Sequence, residues 1–217
     1  MELKDALQKR QSVRRFTSDI VKPDDLTEIL EAARISPSGN NYQNWHFVII
    51  ENRSIKEKIA KAILDKNELI SSDLDKKDGE RGSKFRKYCR NFSLFFVDAP
   101  VLILVYSAPD IPSGYLEYQL AGWSQDHIDE LFKRTPGIQS IGAAMQSMSL
   151  RAVDLGYGSC WMTGHNYASG EIEKLMEDEG LDLGDYFLCC MMALGVPQPN
   201  IKSPGRKPLN EICTFFP

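Results

Sequence analysis

Apolar residues recur every three or four positions in several stretches of the chain, which is the spacing of an amphipathic helix. This spacing predicts helices over residues 2–9, 23–36, 55–64 and 170–179. The second of these begins with Pro23, which suits a first helical turn, and ends before Pro37, because a residue that precedes proline avoids the helical conformation. Strand-like runs at 45–50, 101–106, 158–162 and 188–196 alternate with the helices, so the pattern indicates an α+β or α/β fold.

The predicted helix over residues 138–155 differs from the others because it is apolar or small around much of its circumference. Its apolar face carries Ile138, Ile141, Met145, Met148, Ala152 and Leu155. Gly142, Ala143 and Ala144 leave room for a neighbouring element to approach closely. Such a helix is usually central in the fold or lies at a subunit interface.

The polar stretch 66–87 contains many charges and few apolar residues. A segment of this composition cannot bury much apolar surface. We therefore predict an exposed or mobile excursion there, and not a packed element.

The overall charge restricts the kind of partner. A formal net charge of -4 argues against a general nucleic-acid binder, which needs cations spread over a whole face. The five cysteines and three histidines show no metal-ligand spacing, and an odd number of cysteines suits a reducing compartment. No apolar run approaches the roughly 18 residues of a membrane span. We expect one domain over residues 1–217, located in the cytoplasm, with no metal and no membrane contact.

The stretch RQSVRRF, residues 10–16, concentrates positive charge in an otherwise acidic chain. In an extended segment Arg10, Ser12 and Arg14 would point to one side, and Gln11, Val13 and Arg15 to the other. Two guanidinium groups and a hydroxyl on one side suit a phosphate or carboxylate. A solvated charge run and a kinase recognition sequence around Ser12 are the alternatives.

Three further stretches contain turn formers, glycine or cations: SPSGNNYQNW at 36–45, LGYGSCWMTG at 155–164 and SPGRKPLNEI at 203–212. The first would expose backbone amides in a tight turn, and the last could add Arg206 to an anion site. The glycines of the second do not follow a strand, so they are no dinucleotide fingerprint. Taken singly, the first is more often an ordinary loop and the last a charged tail.

In this order, the four stretches resemble the FMN-dependent nitroreductase family. The residues that carry the resemblance are Arg10, Ser12 and Arg14; Pro37, Ser38, Gly39, Asn41, Gln43 and Trp45; Leu155, Gly156, Gly158, Ser159, Cys160 and Trp161; and Gly195, Pro197, Arg206, Lys207, Pro208, Leu209 and Glu211. The match spans nearly the whole chain. This chain departs from the family pattern at Asn44, where the family usually has proline. The family often has a second cation shortly before the arginine that corresponds to Arg206, and here only Lys202 could replace it. Arg90 and Asn91 are the candidates for a further flavin-contacting residue.

The resemblance implies an α+β, three-layer fold with a mostly antiparallel central sheet flanked by helices, in an intertwined homodimer that binds two FMN molecules at its interface. Arg10, Ser12, Arg14 and Arg206 would hold the phosphate and the pyrimidine side of the flavin, and Arg14 would stabilise the reduced ring. The loop with Pro37, Ser38, Gly39 and Asn41 would approach from the partner chain. The backbone N–H of Thr163 would reach N5 of the flavin. The implied cofactor contacts are Arg10, Gln11, Ser12, Arg14, Pro37, Ser38, Gly39, Asn41, Trp161, Met162, Thr163, Gly164 and Arg206.

The activity implied by the resemblance is electron transfer from NADH or NADPH to a nitroaromatic, a quinone or a similar acceptor by a ping-pong mechanism. No protein acid or base is expected, because the cofactor supplies the hydride chemistry. The acceptor pocket is expected from residues 108–134, with Tyr115, Tyr118 and Trp123 as aromatic candidates. Reductive dehalogenation, flavin fragmentation and non-catalytic flavin binding are the alternatives. We read His46 and Cys160 as structural.

Overall fold

Four antiparallel strands form the central sheet. The computed structural model describes residues 1–199 and 204–216. The strands are β1 (Trp45–Ile50), β2 (Val101–Ser107), β3 (Gly158–Met162) and β4 (Phe187–Gly195), and their order in the sheet is β1-β2-β4-β3. All three pairings are antiparallel. β1 and β3 are therefore opposite edges of the sheet, and β2 and β4 lie between them.

The α-helices that the structure describes cover both faces of this sheet. They are α1 (Leu3–Lys9), α2 (Pro23–Arg34), α3 (Arg53–Asp75), α4 (Gly79–Tyr88), α5 (Tyr115–Leu120), α6 (Gln125–Phe132), α7 (Pro136–Asp154) and α8 (Ser169–Asp178). A single π-helical turn, Cys89–Ser93, follows α4. Among residues 1–199 and 204–216, no helix has both the length and the apolar character that a membrane crossing needs.

Every residue of β2 is buried, and alternate residues belong to different cores. Leu102 and Leu104 pack in the core that α3 and α8 cover, whereas Ile103 packs in the core that α2 and α7 cover. Successive side chains of a strand point to opposite faces, so these two cores lie on the two faces of the sheet. The predicted α+β fold with helices on both sides of the sheet is confirmed.

The prediction for residues 66–87 was wrong. α3 continues to Asp75, and α4 packs against it as a second helix. Arg86 of α4 donates to Glu68 at 2.8 Å and to Asp75 at 2.7 Å, both on α3. The charges that suggested solvent exposure therefore pair with each other across two neighbouring helices.

The extended segment of residues 10–16 lies along the outer edge of β3. Ser12 forms a parallel bridge with Ser159, and the Val13 N–H donates to the Ser159 carbonyl at 2.9 Å. Val13 is buried, while Ser12 and Arg14 are exposed, so the predicted alternation is confirmed around Val13. It does not extend to Arg15, which is exposed like Arg14. A Cβ on Gly158 would lie 2.5 Å from Val13 Cγ2, so only glycine lets the segment approach β3 this closely.

Candidate functional site

Arg10 and Ser12 line a cavity of about 370 Å³ beside β3. Ser159 and Trp161 of β3 form one wall, and Gln146 and Ser149 of α7 form another. With Thr163, which also lines it, the cavity presents one guanidinium group, four hydroxyl groups and one amide. Guanidinium and hydroxyl donors of this kind suit the oxygens of a phosphate ester.

Arg14 lines a second cavity, of about 380 Å³. Its guanidinium carbon lies 6.0 Å from the centre of the Phe95 ring. The other lining residues are Tyr88, Phe92, Ser93, Cys160, Trp161, Met162, Thr163, Gly164 and His165. This cavity is therefore flanked by aromatic rings and by the end of β3, which suits a flat ring system.

Trp161 and Thr163 line both cavities, so the two spaces adjoin at the end of β3. Trp161 is 41% exposed, although it lies in a strand whose other residues are buried. Its ring passes close to Gly142 of α7, where a Cβ would lie 3.4 Å from Trp161 Cη2. The close approach predicted at the small residues of the central helix is therefore made by this tryptophan.

The electrostatic environment between the two cavities is positive. Burial raises the pKa of the Cys160 thiol, and Arg14, Ser12 and Arg10 oppose that rise. Arg10 and Arg14, at the two ends of the 10–14 segment, therefore both favour the thiolate form of Cys160. This is expected if their side chains converge on one side of the segment. None of the described residues that line either cavity is acidic, although the chain has a net charge of -4.

The loop with Pro37, Ser38, Gly39 and Asn41 lies elsewhere on the same chain. The Gly39 N–H donates to Ser140 Oγ at 3.2 Å, near the beginning of α7. Ser149, which lines the Arg10 cavity, follows Ser140 by two and a half turns, about 13 Å along the helix axis. The structure therefore does not bring this loop to the arginines of its own chain.

Asn44 is buried at the end of this loop, at the position where proline was expected. Its Nδ2 donates to Ser107 Oγ at 2.8 Å and to the Gly137 carbonyl at 3.2 Å. Gln43 precedes it with φ 49°, in the left-handed region. The side chain of Asn44 thus joins the loop to the end of β2 and to the first turn of α7.

Arg206 lies in a tail, residues 204–216, in which every described residue is exposed. It does not line either arginine cavity of its own chain. Large apolar side chains in this tail are also exposed, including Leu209, Phe215 and Phe216. Lys202, the candidate second cation, lies outside the described residues.

The proposed acceptor region forms two short helices, α5 and α6, that pack against each other. The rings of Tyr118 and Trp123 stack with centroids 4.8 Å apart. Neither these rings nor Tyr115 line the arginine cavities of their own chain. Phe132 of α6 lines a separate, mainly apolar cavity of about 260 Å³ beside Phe187 and Ile138.

Sequence reasoning missed several residues that line the site. Gln146 and Ser149 are polar residues three positions apart in an otherwise apolar or small helix, and that signal could have identified them. Tyr88 and Phe92, which also line the site, follow the stretch 66–87 that we expected to be unpacked. Arg90 and Asn91 are exposed on the π-helical turn between them.

The chain is similar to known proteins in both sequence and structure. A family model described as Nitroreductase family matches residues 7–196. An iodotyrosine deiodinase from Hydra vulgaris is 26% identical over 211 residues, which cover 95% of this chain and 70% of that protein. Protein DrgA from Synechocystis sp. is 28% identical over 227 residues, which cover 98% of this chain and 95% of that protein.

Among solved structures, a BluB-like flavoprotein from Clostridium difficile 630 superposes with a TM-score of 0.97 and 49% sequence identity over 100% of both chains. A nitroreductase with bound FMN from Bacteroides fragilis superposes with a TM-score of 0.67 and 22% identity over 100% of both chains. At that identity the second likeness shows the fold alone.

Proposed function

Because this chain belongs to the Nitroreductase family, we propose that it is an FMN-dependent oxidoreductase that passes electrons from NADH or NADPH to an electron-poor small molecule. The observation that carries the proposal is the pair of adjoining cavities at the end of β3. Their only charged lining residues among the described residues are Arg10 and Arg14. A phosphate ester joined to a flat ring matches this pair of spaces.

In this proposal Arg10 binds the phosphate, with Ser12 as an additional donor and Arg206 as a second cation. Ser149 and Ser159 offer hydroxyl groups to the sugar-alcohol chain that joins phosphate to ring. Arg10, Ser12 and Gln146 can donate hydrogen bonds to phosphate and sugar-alcohol oxygens. Ser149 already donates to the Met145 carbonyl at 2.9 Å, so its hydroxyl is left to accept from a sugar-alcohol hydroxyl group.

Arg14 would lie beside the pyrimidine end of the ring, where its charge stabilises the negative charge that reduction creates. Trp161, Met162, Thr163 and Gly164 form the wall along the ring. Gln11, between Arg10 and Ser12, lines neither cavity, so its place among the flavin contacts rests on the resemblance alone. Bound FMN would supply the hydride chemistry, accepting two electrons from the nicotinamide and giving them to the acceptor.

The proposal includes a homodimer of a single-domain chain. None of Pro37, Ser38, Gly39 and Asn41 lines either arginine cavity of its own chain. In this proposal they contribute to FMN binding from a second copy of the chain. The exposed apolar side chains of the tail at 204–216 support a partner surface of this kind.

Planar acceptors such as nitroaromatics or quinones suit the second cavity. Tyr88 and Phe92 line it, are 54% and 58% exposed, and place their ring centres 5.6 Å apart. An exposed aromatic pair at the mouth of a cavity offers a surface on which a flat acceptor can stack.

The test is anaerobic titration of the purified protein with NADH and NADPH, followed by a panel of acceptors. We expect flavin absorption, its bleaching by at least one nicotinamide, and its recovery with a nitroaromatic or a quinone. A flavin that neither nicotinamide bleaches would indicate a flavin-binding protein without this activity. A protein that neither contains FMN nor gains thermal stability from it would overturn the proposal.

Reductive dehalogenation is the second candidate, because the Hydra vulgaris iodotyrosine deiodinase matches 95% of this chain. The acceptor panel should therefore include 3-iodotyrosine and 4-nitrobenzoate. Iodide release at a greater kcat/KM than nitro reduction would favour the dehalogenase. Irreversible loss of flavin absorption when the reduced protein meets air would instead indicate fragmentation of the flavin.

A further inference from the structure

His165 lies buried at the end of the strand that forms the wall along the Arg14 cavity. Its Nε2 is 2.5 Å from the Ser93 carbonyl oxygen. A carbonyl oxygen can only accept, so Nε2 carries a proton and donates. The ring also packs edge-on against Phe96, with centroids 5.6 Å apart.

The turn that holds His165 is fixed to the sheet. The Asn166 N–H donates to the Thr163 carbonyl at 3.1 Å, and His165 has φ -98° and ψ -2°, the values of the third residue of a type I turn. Asn166 Nδ2 donates to the Cys189 carbonyl of β4 at 2.9 Å. The position of the imidazole is therefore set by the central sheet.

The acceptor of the His165 hydrogen bond belongs to the opposite wall of the same cavity. Ser93 is the last residue of the π-helical turn Cys89–Ser93, and it is buried. Phe92 directly precedes it, and Tyr88 directly precedes the turn. The hydrogen bond thus joins the end of β3 to the segment that carries both exposed rings.

The other ring nitrogen of His165 has an unusual environment. Nδ1 is buried and has no hydrogen-bond partner within the described part of the chain. Burial lowers the pKa of His165, and the hydrogen bond to Ser93 opposes that change only in part. The imidazole is therefore neutral near pH 7 and serves as a donor to Ser93 alone.

We propose that His165 is a positioning residue for the electron acceptor. It holds the Tyr88–Phe92 pair at a fixed distance from Thr163 and Gly164 through its hydrogen bond to Ser93. His165 lines the same cavity but is buried, so in this proposal it acts through that hydrogen bond and not by contact with a reacting atom. The inference rests on the proposed function, because it needs a flavin ring along Thr163 and Gly164. It assigns the acceptor-binding geometry to a residue that does not line the phosphate cavity.

The experiment compares two substitutions in the FMN-loaded protein. His165→Phe keeps a ring against Phe96 but removes the donor, whereas His165→Gln keeps a donor near the position of Nε2. His46→Phe is the matched control, because His46 is exposed at the start of β1, on the opposite edge of the sheet. Binding of 4-nitrobenzoate is measured without turnover, from the perturbation of the oxidised flavin spectrum, and KM and kcat are measured separately.

We expect His165→Phe to weaken 4-nitrobenzoate binding by up to about tenfold, because the free energy of one hydrogen bond to a buried carbonyl is the most that this bond can contribute to holding the two rings. KM should rise by a similar factor, while kcat and the Kd for FMN change less than about twofold. His165→Gln should restore most of the loss, and His46→Phe should behave as the wild type. If His165→Phe does not fold, His165→Met, which also lacks a donor, replaces it.

The inference is overturned if both substitutions leave acceptor binding unchanged, or if the phenylalanine and glutamine variants lose it equally. Equal weakening of FMN binding in both variants would also overturn it, because the ring would then act only through core packing. A wild-type protein that binds no FMN would instead overturn the proposed function, and the inference with it.

Discussion

Arg10 and Arg14 lie on the same extended segment but line two different cavities, which adjoin at the end of β3. The buried Val13 between them packs against β3 and keeps both arginines on the accessible side. One guanidinium group is placed with hydroxyls and the other with aromatic rings. The two arginines are therefore expected to affect different properties of a bound flavin.

Replacement of Arg10 by alanine should weaken the binding of FMN more than that of riboflavin, which has no phosphate. Loss of a charge-assisted hydrogen bond costs about 2 kcal/mol, or roughly 30-fold in Kd. Fluorescence titration of the apoprotein with both flavins measures the difference. Arg15→Ala is the control, since Arg15 is exposed and lines neither cavity. An equal loss for the two flavins would contradict the phosphate role.

Replacement of Arg14 by glutamine should lower the reduction potential of the bound flavin, because a cation near the ring favours its reduced, anionic form. A loss of about 1.4 kcal/mol corresponds to roughly 30 mV for a two-electron couple. The potential is measured by anaerobic titration against a reference dye. Arg14→Lys should retain most of the wild-type potential, and an unchanged potential in Arg14→Gln would exclude this role.

Replacement of Asn44 by proline should destabilise the protein, although the resemblance predicts proline there. The change removes the two hydrogen bonds to Ser107 and Gly137, about 1 kcal/mol each. It also places proline after Gln43, whose positive φ lies outside the extended region that a residue before proline prefers. Thermal unfolding should show a Tm lower by about 4–8 °C. Asn44→Ala, without the backbone conflict, should lose less, and a more stable proline variant would refute this account.

Replacement of Gly158 by alanine should destabilise the chain by about 1–3 kcal/mol, because the new methyl group would meet Val13. The double variant Val13→Ala with Gly158→Ala should be more stable than the sum of the two single changes predicts. Urea unfolding of the four proteins measures this coupling. Strict additivity would show that the segment and β3 are not in the close contact described.

Replacement of Arg86 by methionine should reduce stability near pH 7 by breaking the pairs with Glu68 and Asp75. Hydrogen bonds from Arg86 lower the pKa of both carboxyl groups from their ordinary values of 4.5 and 3.8. Stability from groups with lowered pKa is present above the ordinary values and is lost as the pH falls through the folded values. The difference in Tm between wild type and variant should therefore shrink below about pH 4 and in high salt. A difference that persists at low pH would indicate packing by the Arg86 stem instead.

The sequence predicted the elements whose apolar spacing is regular. β2 has a continuous apolar run and is buried on both faces, and the alternation around Val13 places both arginines on one side. The prediction failed at residues 66–87 because the stabilising partners of Arg86 are on another helix. Local composition contains no information about such pairs.

Parts of the site could not be predicted for the same reason. Asn44 bonds to Ser107 and Gly137, which are distant in the sequence, so its role is visible only in the fold. Nothing in the sequence around His165 distinguishes it from another histidine. Its role becomes visible only through its hydrogen bond to the Ser93 carbonyl in the folded chain. The resemblance grouped Arg206 with Arg10, and in the structure of one chain Arg206 lies in an exposed tail.

The bridge between Ser12 and Ser159 has a consequence for biosynthesis. A ribosome releases the segment with both arginines long before it releases β3, and non-local contacts can form only after both partners have been made. A nascent chain halted before Gly158 would already contain Arg10 and Arg14. It would lack β3, the strand against which the segment with these arginines becomes ordered. In the proposed function, flavin binding must therefore wait until translation has passed β3, so the cofactor would not assist the folding of the earlier part of the chain.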